Sequence, residues 1–442
     1  MKFIALFFAA ARAGPPRFYE PSQVGGKRRR EHLFAMIDAS VYNKCVRCGL
    51  CLPTCPTYVE TLTETSGPRG RISLIKAVAE ERLDLLSPGF VHQMSECLDC
   101  RACEAVCPSG VQYGQLVEAA RNEIAKAQAP QRPAPLRFFR WLLLKVLFGN
   151  LLFMRVSAVL LRFYQQSGLR ALVRKTGILR RLHLEEQEAL APSISRKFFV
   201  PRNQRYAASA SRLTVMLHAG CIMHVAFAHV DEATVRVLRR NGCTVVVPAK
   251  QGCCGAIAVH AGEMNFGREL ARRNIEAFEE SGADYYIINA AGCGSTLKEY
   301  GHLLHDDPQW ADRAARFSSR VRDVLEFLDE VGLSPDLGAV QEVVTYQDAC
   351  HLAHAQRITA PPRRLLSQIP GLRLVEMNES SLCCGSAGIY NVTEPGMARR
   401  LGERKAANVM DTRAQVVATA NPGCALQMAA HLREKASPIR VK

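Results

Sequence analysis

The sequence predicts a mixed architecture: a mainly α-helical N-terminal domain built on metal-binding turns, followed by an α/β unit that occurs twice. Two observations lead there. Eight of the seventeen cysteines fall in two tight runs between Cys45 and Cys107, and the apolar residues between and after those runs recur at helical spacing. Further on the cysteine pattern repeats: Cys221, Cys253, Cys254 and Cys293 are matched by Cys350, Cys383, Cys384 and Cys424 at offsets of 129, 130, 130 and 131 residues.

The N-terminal domain is expected over 37–128, with helical periodicity in Arg71–Glu81 and Gln115–Lys126. Its first run is Cys45-x2-Cys48-x2-Cys51-x3-Cys55-Pro56, and its second is Cys97-x2-Cys100-x2-Cys103-x3-Cys107-Pro108. Three thiolates at i, i+3 and i+6 wrap three corners of a [4Fe–4S] cube from one turn, and the fourth corner must be supplied from elsewhere. In two-cluster ferredoxins the last cysteine of each run ligates the other cluster. The expected ligand sets are therefore Cys45, Cys48, Cys51 and Cys107 for one cluster, and Cys97, Cys100, Cys103 and Cys55 for the other. The prolines turn the chain away after the fourth cysteine. A zinc site uses C-x2-C pairs and has no use for a third cysteine followed by x3-C-P. Disulfides fit poorly as well, because the spacings are too tight for their geometry and the cysteine count is odd.

Residues 1–36 form an N-terminal extension, and Met1–Ala13 reads either as a very short signal-like segment or as an apolar extension. Residues 129–206 open with Pro130, Pro133 and Pro135 and form a basic apolar linker or docking segment. From 130 to 206 there are fifteen Lys/Arg against Glu185, Glu186 and Glu188, most of the chain's formal net charge of +16. Trp141–Leu161 is strongly apolar but contains Lys145, Asn150 and Arg155. It fits a helix packed on the protein's own core, or one lying at a membrane interface or against a partner, better than a bilayer span.

The first repeated unit is placed at 207–335 and the second at 336–442. Short β-like runs, Leu213–Leu217, Tyr285–Ile288, Glu342–Tyr346 and Val416–Ala418, precede Cys221, Cys293, Cys350 and Cys424. Adjacent cysteines such as Cys253-Cys254 and Cys383-Cys384 can offer two thiolates to one metal group if Gly255 or Gly385 turns the backbone sharply. Thiols that follow strands converge at one end of an α/β sheet, where such folds place ligands. Cys243 lies outside both sets and reads as core. His224, His229, His351 and His354 follow Cys221 and Cys350 closely, and they are either donors tuning a nearby redox group or packing histidines.

These stretches resemble a known family. CVRCGLCLPTCPTY (Cys45–Tyr58), GPRGRISLIK (Gly67–Lys76), CLDCRACEAVCPSGVQY (Cys97–Tyr113), AGCGSTLKEYG (Ala291–Gly301), CHLAHAQ (Cys350–Gln356) and LCCGSAGIY (Leu382–Tyr390) are similar to the iron–sulfur subunit of glycolate oxidase (glycolate dehydrogenase). The resemblance implies a mainly α-helical ferredoxin-type domain with two [4Fe–4S] sites, then a duplicated α/β (Rossmann-like) cysteine-rich CCG unit. It implies an electron-transfer subunit fed by an FAD-containing partner that oxidises glycolate, passing electrons to a membrane quinone or other respiratory acceptor. The expected place is the cytoplasm, peripherally at the inner face of the cell membrane, with contact to anionic lipid. One departure from the family pattern matters: Cys293 and Cys424 are not followed by x2-Cys, so each unit lacks a last thiolate. A further iron–sulfur cluster, another metal or redox thiol pair, and a structural role all remain open for the eight C-terminal cysteines.

No G-x-G-x-x-G after a strand and no P-loop occurs, so the chain offers no recognisable flavin, nicotinamide or nucleotide site of its own. With no substrate-oxidising residues it is expected to act as part of an oxidoreductase complex. Iron–sulfur subunits acting in lactate, glycerol-3-phosphate or heterodisulfide chemistry share these parts and form the alternative. A membrane-docking scaffold is compatible with the main reading. A cluster-bearing nucleic-acid binder is disfavoured, because the basic excess is confined to one segment and no recognition motif accompanies it.

Overall fold

The computed structural model describes residues 39–182 and 184–442. The N-terminal extension and the signal-like segment Met1–Ala13 lie outside the described residues.

The N-terminal domain is helical. Pro56–Thr61, Pro68–Ala79, Pro88–Glu96 and Tyr113–Gln128 surround the two cysteine runs. Three of these helices begin on proline, whose missing N–H and fixed φ suit the first turn. Ile75, Val78, Phe90, Met94, Leu116 and Val117 close its core. Most of the cysteines sit between helices, in segments where Arg47, Asp99 and Arg101 adopt φ near +60° (57°, 52° and 61°), as tight wrapping requires.

The first α/β unit holds β1 (Gln204–Tyr206), β2 (Leu213–Leu217), β3 (Cys243–Val247), β4 (Tyr285–Ile288) and β5 (Val321–Asp323) in the order β1-β3-β2-β4-β5. β1 runs antiparallel to β3 and the other pairs are parallel. Both faces of this sheet are buried, so its central strands read as continuous apolar runs. Alternate residues serve alternate faces: Val215, Leu217, Val245 and Ile287 pack on one side, Met216, Val246, Tyr286 and Ile288 on the other. The second unit holds β6 (Val343–Gln347), β7 (Arg373–Val375), β8 (Val416–Thr419) and β9 (Arg440–Val441) in the all-parallel order β7-β6-β8-β9. Setting β1 aside, the two sheets have the same strand order, with the first strand of each unit between its second and third.

The basic segment is a chain of short helices laid over the first unit. The apolar stretch Trp141–Leu161 is not one helix: Ala134–Trp141 runs into a π-helical turn, Leu142–Leu147, and a new helix, Leu151–Gln166, starts after a bend of 102°. Gly149 lies against the Lys145 carbonyl, and the Asn150 side chain accepts from the Leu152 N–H, which caps the new helix. Among the described residues no single helix is long and apolar enough to cross a membrane.

Candidate iron–sulfur and thiol sites

Two hollows lie side by side in the N-terminal domain, about 420 and 300 Å³ in volume. Cys45, Cys48, Cys51 and Cys107 line the first, and Cys55, Cys97 and Cys100 line the second, while Cys103 borders both. The fourth cysteine of each run thus stands beside the first three of the other. Cys48 is exposed, whereas Cys55, Cys97 and Cys100 are buried.

The donor set suits iron–sulfur clusters. Burial pushes the Cys51 thiol up to about 11, and it pushes Cys100 and Cys103 well above the ordinary range. Such thiols become thiolates when a cation in the hollow takes the place of the proton. N–H groups already aim at sulfur: Asp99 N–H lies 3.4 Å from Cys97 Sγ, and Val111 N–H lies 3.4 Å from Cys107 Sγ. The Tyr113 hydroxyl donates to Cys97 Sγ at 3.5 Å. Two buried guanidiniums stand beside the second hollow, and Arg71 is the one that feels its thiols Cys97 and Cys55. Arg71 donates to Thr57 Oγ1 (3.0 Å), Glu96 Oε2 (2.9 Å) and the Gln93 carbonyl (2.8 Å). Arg101 reaches Asp99 (2.8 Å), Glu118 (3.1 Å), Glu104 (3.3 Å) and Glu299 (3.2 Å).

In each α/β unit the four repeated cysteines come together at the C-terminal end of the parallel strands, beside the point where the strand order reverses. Cys253 Sγ lies 3.8 Å from Cys221 Sγ, and Cys350 Sγ lies 3.9 Å from Cys383 Sγ. Gly255 and Gly385 take φ of +87° and +86°, the left-handed turn that aims both neighbouring thiols inward. Thiol donors hold Cys253 and Cys384 well below the ordinary range, through Cys221 and Cys254 in the first case and Cys383 and Cys424 in the second. Cys254 donates to Cys293, which against the effect of burial is held down to about 6 with help from His218. Each unit is therefore a linked group of four sulfurs.

The two groups differ in their surroundings. In the first unit His218 is fully buried, its Nδ1 2.7 Å from the Tyr286 hydroxyl. In the second, Gln347 takes the matching place, and the buried Lys405 stands close to Cys383, Cys384 and Cys424. Lys405 matches Asn274, which binds the Gly252 N–H and the Cys253 carbonyl in the first unit. No motif spacing marks His218 or Lys405, although each falls one repeat away from a residue of different charge. Nor does one mark Arg71 or Arg101, since their partners are distant in sequence.

The four histidines singled out from sequence separate. His351 Nε2 lies 2.9 Å from the Asp99 carbonyl, between two cysteines of the second run. His354 Nε2 lies 3.0 Å from the Ser381 carbonyl, just before Cys383. His224 is fully buried, donates Nδ1–H to the Gly220 carbonyl and is held neutral by burial, its pKa lowered to about 4. His229 is exposed. Cys243 opens β3 in the apolar core, at the strand end away from the other thiols.

The three parts meet at their cysteines. Cys100, Leu98 and Ala102 pack with Cys383, Tyr390 and Leu401 of the second unit, and Cys350 adjoins that cluster. The first and second units touch where Gly292 N–H donates to Asn421 Oδ1 at 3.1 Å and Ala291 N–H to the Ala420 carbonyl at 2.9 Å, next to Cys293 and Cys424.

Family models match the chain in three places: a 4Fe-4S dicluster domain at 41–111, a glycolate oxidase iron-sulfur subunit linker region at 135–191, and a cysteine-rich domain at 215–298 and again at 344–429. The chain is 44% identical over 399 residues to a Bacillus subtilis protein named probable glycolate oxidase iron-sulfur subunit, covering 89% of each. It is 34% identical to the Escherichia coli glycolate oxidase iron-sulfur subunit, covering 90% of this chain and 93% of that one. Lactate utilization protein A of Shouchella clausii is 32% identical but aligns with 52% of this chain. The dicluster domain, the basic linker and the paired cysteine-rich units are thus matched in order between residues 41 and 429, and the chain belongs to the glycolate oxidase iron–sulfur subunit family, an electron-transfer component of an oxidoreductase.

Proposed function

We propose that this chain carries electrons from an FAD-containing subunit that oxidises glycolate to glyoxylate on to a membrane quinone or other respiratory acceptor. The observation that carries this is the continuous run of sulfur sites: an exposed hollow, a buried hollow beside it, and the Cys350–Cys383 group packed against Cys100. A [4Fe–4S] cluster supplies one-electron acceptance and release. Cys45, Cys48, Cys51 and Cys107 hold one cluster, and Cys97, Cys100, Cys103 and Cys55 hold the other. Arg71 offsets part of the second cluster's charge, and Tyr113 and the backbone N–H groups orient the sulfurs. The eight C-terminal cysteines form two further redox or metal sites, supported by the contiguous sulfurs of each unit.

In this reading the parts are an extension (1–36), the cluster domain (37–128), the basic segment (129–206), whose last residues Gln204–Tyr206 add the edge strand β1 to the first sheet, and two doubly wound, Rossmann-like units (207–335 and 336–442). The protein works in the cytoplasm at the inner face of the membrane. The test is glycolate-driven reduction in the complex co-purified with its flavoprotein, followed by EPR. Glycolate should produce reduced [4Fe–4S] signals, and Cys107→Ser should remove the cluster of the exposed hollow. Reduction by lactate and not by glycolate would overturn the substrate and favour the relation to lactate utilization protein A.

A further inference from the structure

Helix Leu151–Gln166 has apolar residues on all sides but is covered on one. Met154 and Ala158 are buried against the first unit, with Leu151 and Leu161 packed beside them. The other side carries Leu152, Phe153, Val156, Val159, Leu160 and Phe163, from 44% to 65% exposed. At 3.6 residues per turn these six fall within an arc of about 120°. An exposed apolar arc of this width on a surface helix calls for a cover. The flanking segments add Phe138, Trp141, Leu142, Leu169 and Leu172, each 39% exposed or more. Other large exposed hydrophobics among the described residues are scattered in ones and twos.

Charge indicates what covers it. Between Glu123 and Glu185 the chain has twelve Lys/Arg and no acidic residue, and Arg137, Lys175 and Arg181 are exposed. Arg140, Arg170, Arg174 and Arg180 pair with Glu263, Glu188 and Glu185, and an apolar face beside the basic excess that remains is the composition of a helix that lies in an anionic lipid interface. Crossing by this helix alone does not fit its size and packing. Sixteen residues span about 24 Å, short of a hydrocarbon layer of about 30 Å. The Met154 side is already held in the protein core, and the preceding helix leaves at 102°.

We propose that helix Leu151–Gln166, with its basic flanks, is a docking face that lies in the surface of an anionic bilayer. This deepens the membrane-associated reading above and is independent of which substrate feeds the complex. The test uses the cluster-loaded chain with vesicles of phosphatidylcholine, with and without phosphatidylglycerol. Trp310→Phe leaves Trp141, 50% exposed, as the sole tryptophan. Binding should require the anionic lipid and weaken with salt, and brominated lipid should quench Trp141. Leu160→Asp with Phe163→Asp should weaken binding by roughly a hundredfold, since two large apolar side chains no longer leave water. Iron content and reduction by the flavoprotein should stay unchanged, because both side chains point outward. No binding to anionic vesicles, with Trp141 shielded when the flavoprotein is added, would overturn the proposal and make the face a subunit contact. Loss of glycolate-driven reduction with vesicle binding intact would count against the substrate reading alone.

Discussion

Arg71 is 1% exposed and its one carboxylate ion-pair partner among the described residues is Glu96, also buried. Removing one member of a buried pair strands the other, at a cost of about 3–5 kcal/mol. Arg71→Met is therefore expected to destabilise the N-terminal domain by that amount, read by chemical denaturation of cluster-loaded protein. Arg71→Lys should recover part of it, because an ammonium restores the charge but not the three-way fork to Thr57, Glu96 and Gln93. A second pair of residues separates strain from crowding. Gly255 and Gly385 share the same left-handed φ, which costs a side chain about 1–2 kcal/mol. A Cβ on Gly255 would meet its nearest neighbour at 3.4 Å, but one on Gly385 would sit 2.7 Å from the Ala398 carbonyl. Gly255→Ala should thus lose only the conformational cost, whereas Gly385→Ala should lose clearly more. Equal losses in denaturation midpoints would mean that helix Pro395–Asp411 gives way freely.

Between elements, the cluster domain meets the second unit through the apolar contact of Leu98 and Ala102 with Tyr390 and Leu401, and polar and charged groups surround it. Loop Asp99–Glu104 is their centre: Arg101 reaches Glu299 of the first unit, His351 of the second unit faces the Asp99 carbonyl, and Arg357 donates to the Glu104 and Ala105 carbonyls at 3.0 Å. His260 of the first unit lies 3.1 Å from both Asp99 and Glu118, with the His351 ring 5.4 Å away and the Arg121 guanidinium at its carbonyl. Burial works against its charge, but the two carboxylates win and raise its pKa from 6.5 to about 9. A group raised on folding stabilises fully below its unfolded pKa and less as pH climbs through the folded one. The His260 contribution should therefore be full near pH 6 and be lost from about pH 6.5 to about pH 9, above the range in which Glu299 and Asp323, carboxyls raised to about 7 by burial, lower stability, and His260→Gln should flatten that upper part in denaturation series across pH. This junction was not legible in the sequence, because its partners are up to 253 residues apart and no spacing rule joins them. The cysteine runs were legible because cluster ligation is local, and the strands before Cys221, Cys293, Cys350 and Cys424 because both sheet faces are buried. The break at Gly149 and Asn150 was hidden inside an apolar run whose composition gives no hint of a 102° bend.

Over the whole molecule, the sulfur sites differ in access, and that sets a direction. The first hollow opens at the surface through the Cys45–Cys51 loop, where Val46 is 67% and Leu50 58% exposed beside the exposed Cys48. The second is enclosed by Arg71, Arg101 and Tyr113 and adjoins the Cys350 group. A redox partner can come close to the first and is kept from the second by protein. Electrons are therefore expected to arrive at the Val46–Leu50 loop and leave by way of the α/β units. Val46→Glu with Leu50→Glu should slow reduction by the flavoprotein, while dithionite, a small reductant, still reduces both clusters at the native rate. Cys350→Ser should do the reverse: flavoprotein-driven reduction persists, and onward transfer to a quinone analogue falls. Stopped-flow absorbance on the two variants separates the steps. If the loop variant transfers at the native rate and Cys350→Ser blocks the first reduction, the direction is inverted and the α/β units face the flavoprotein.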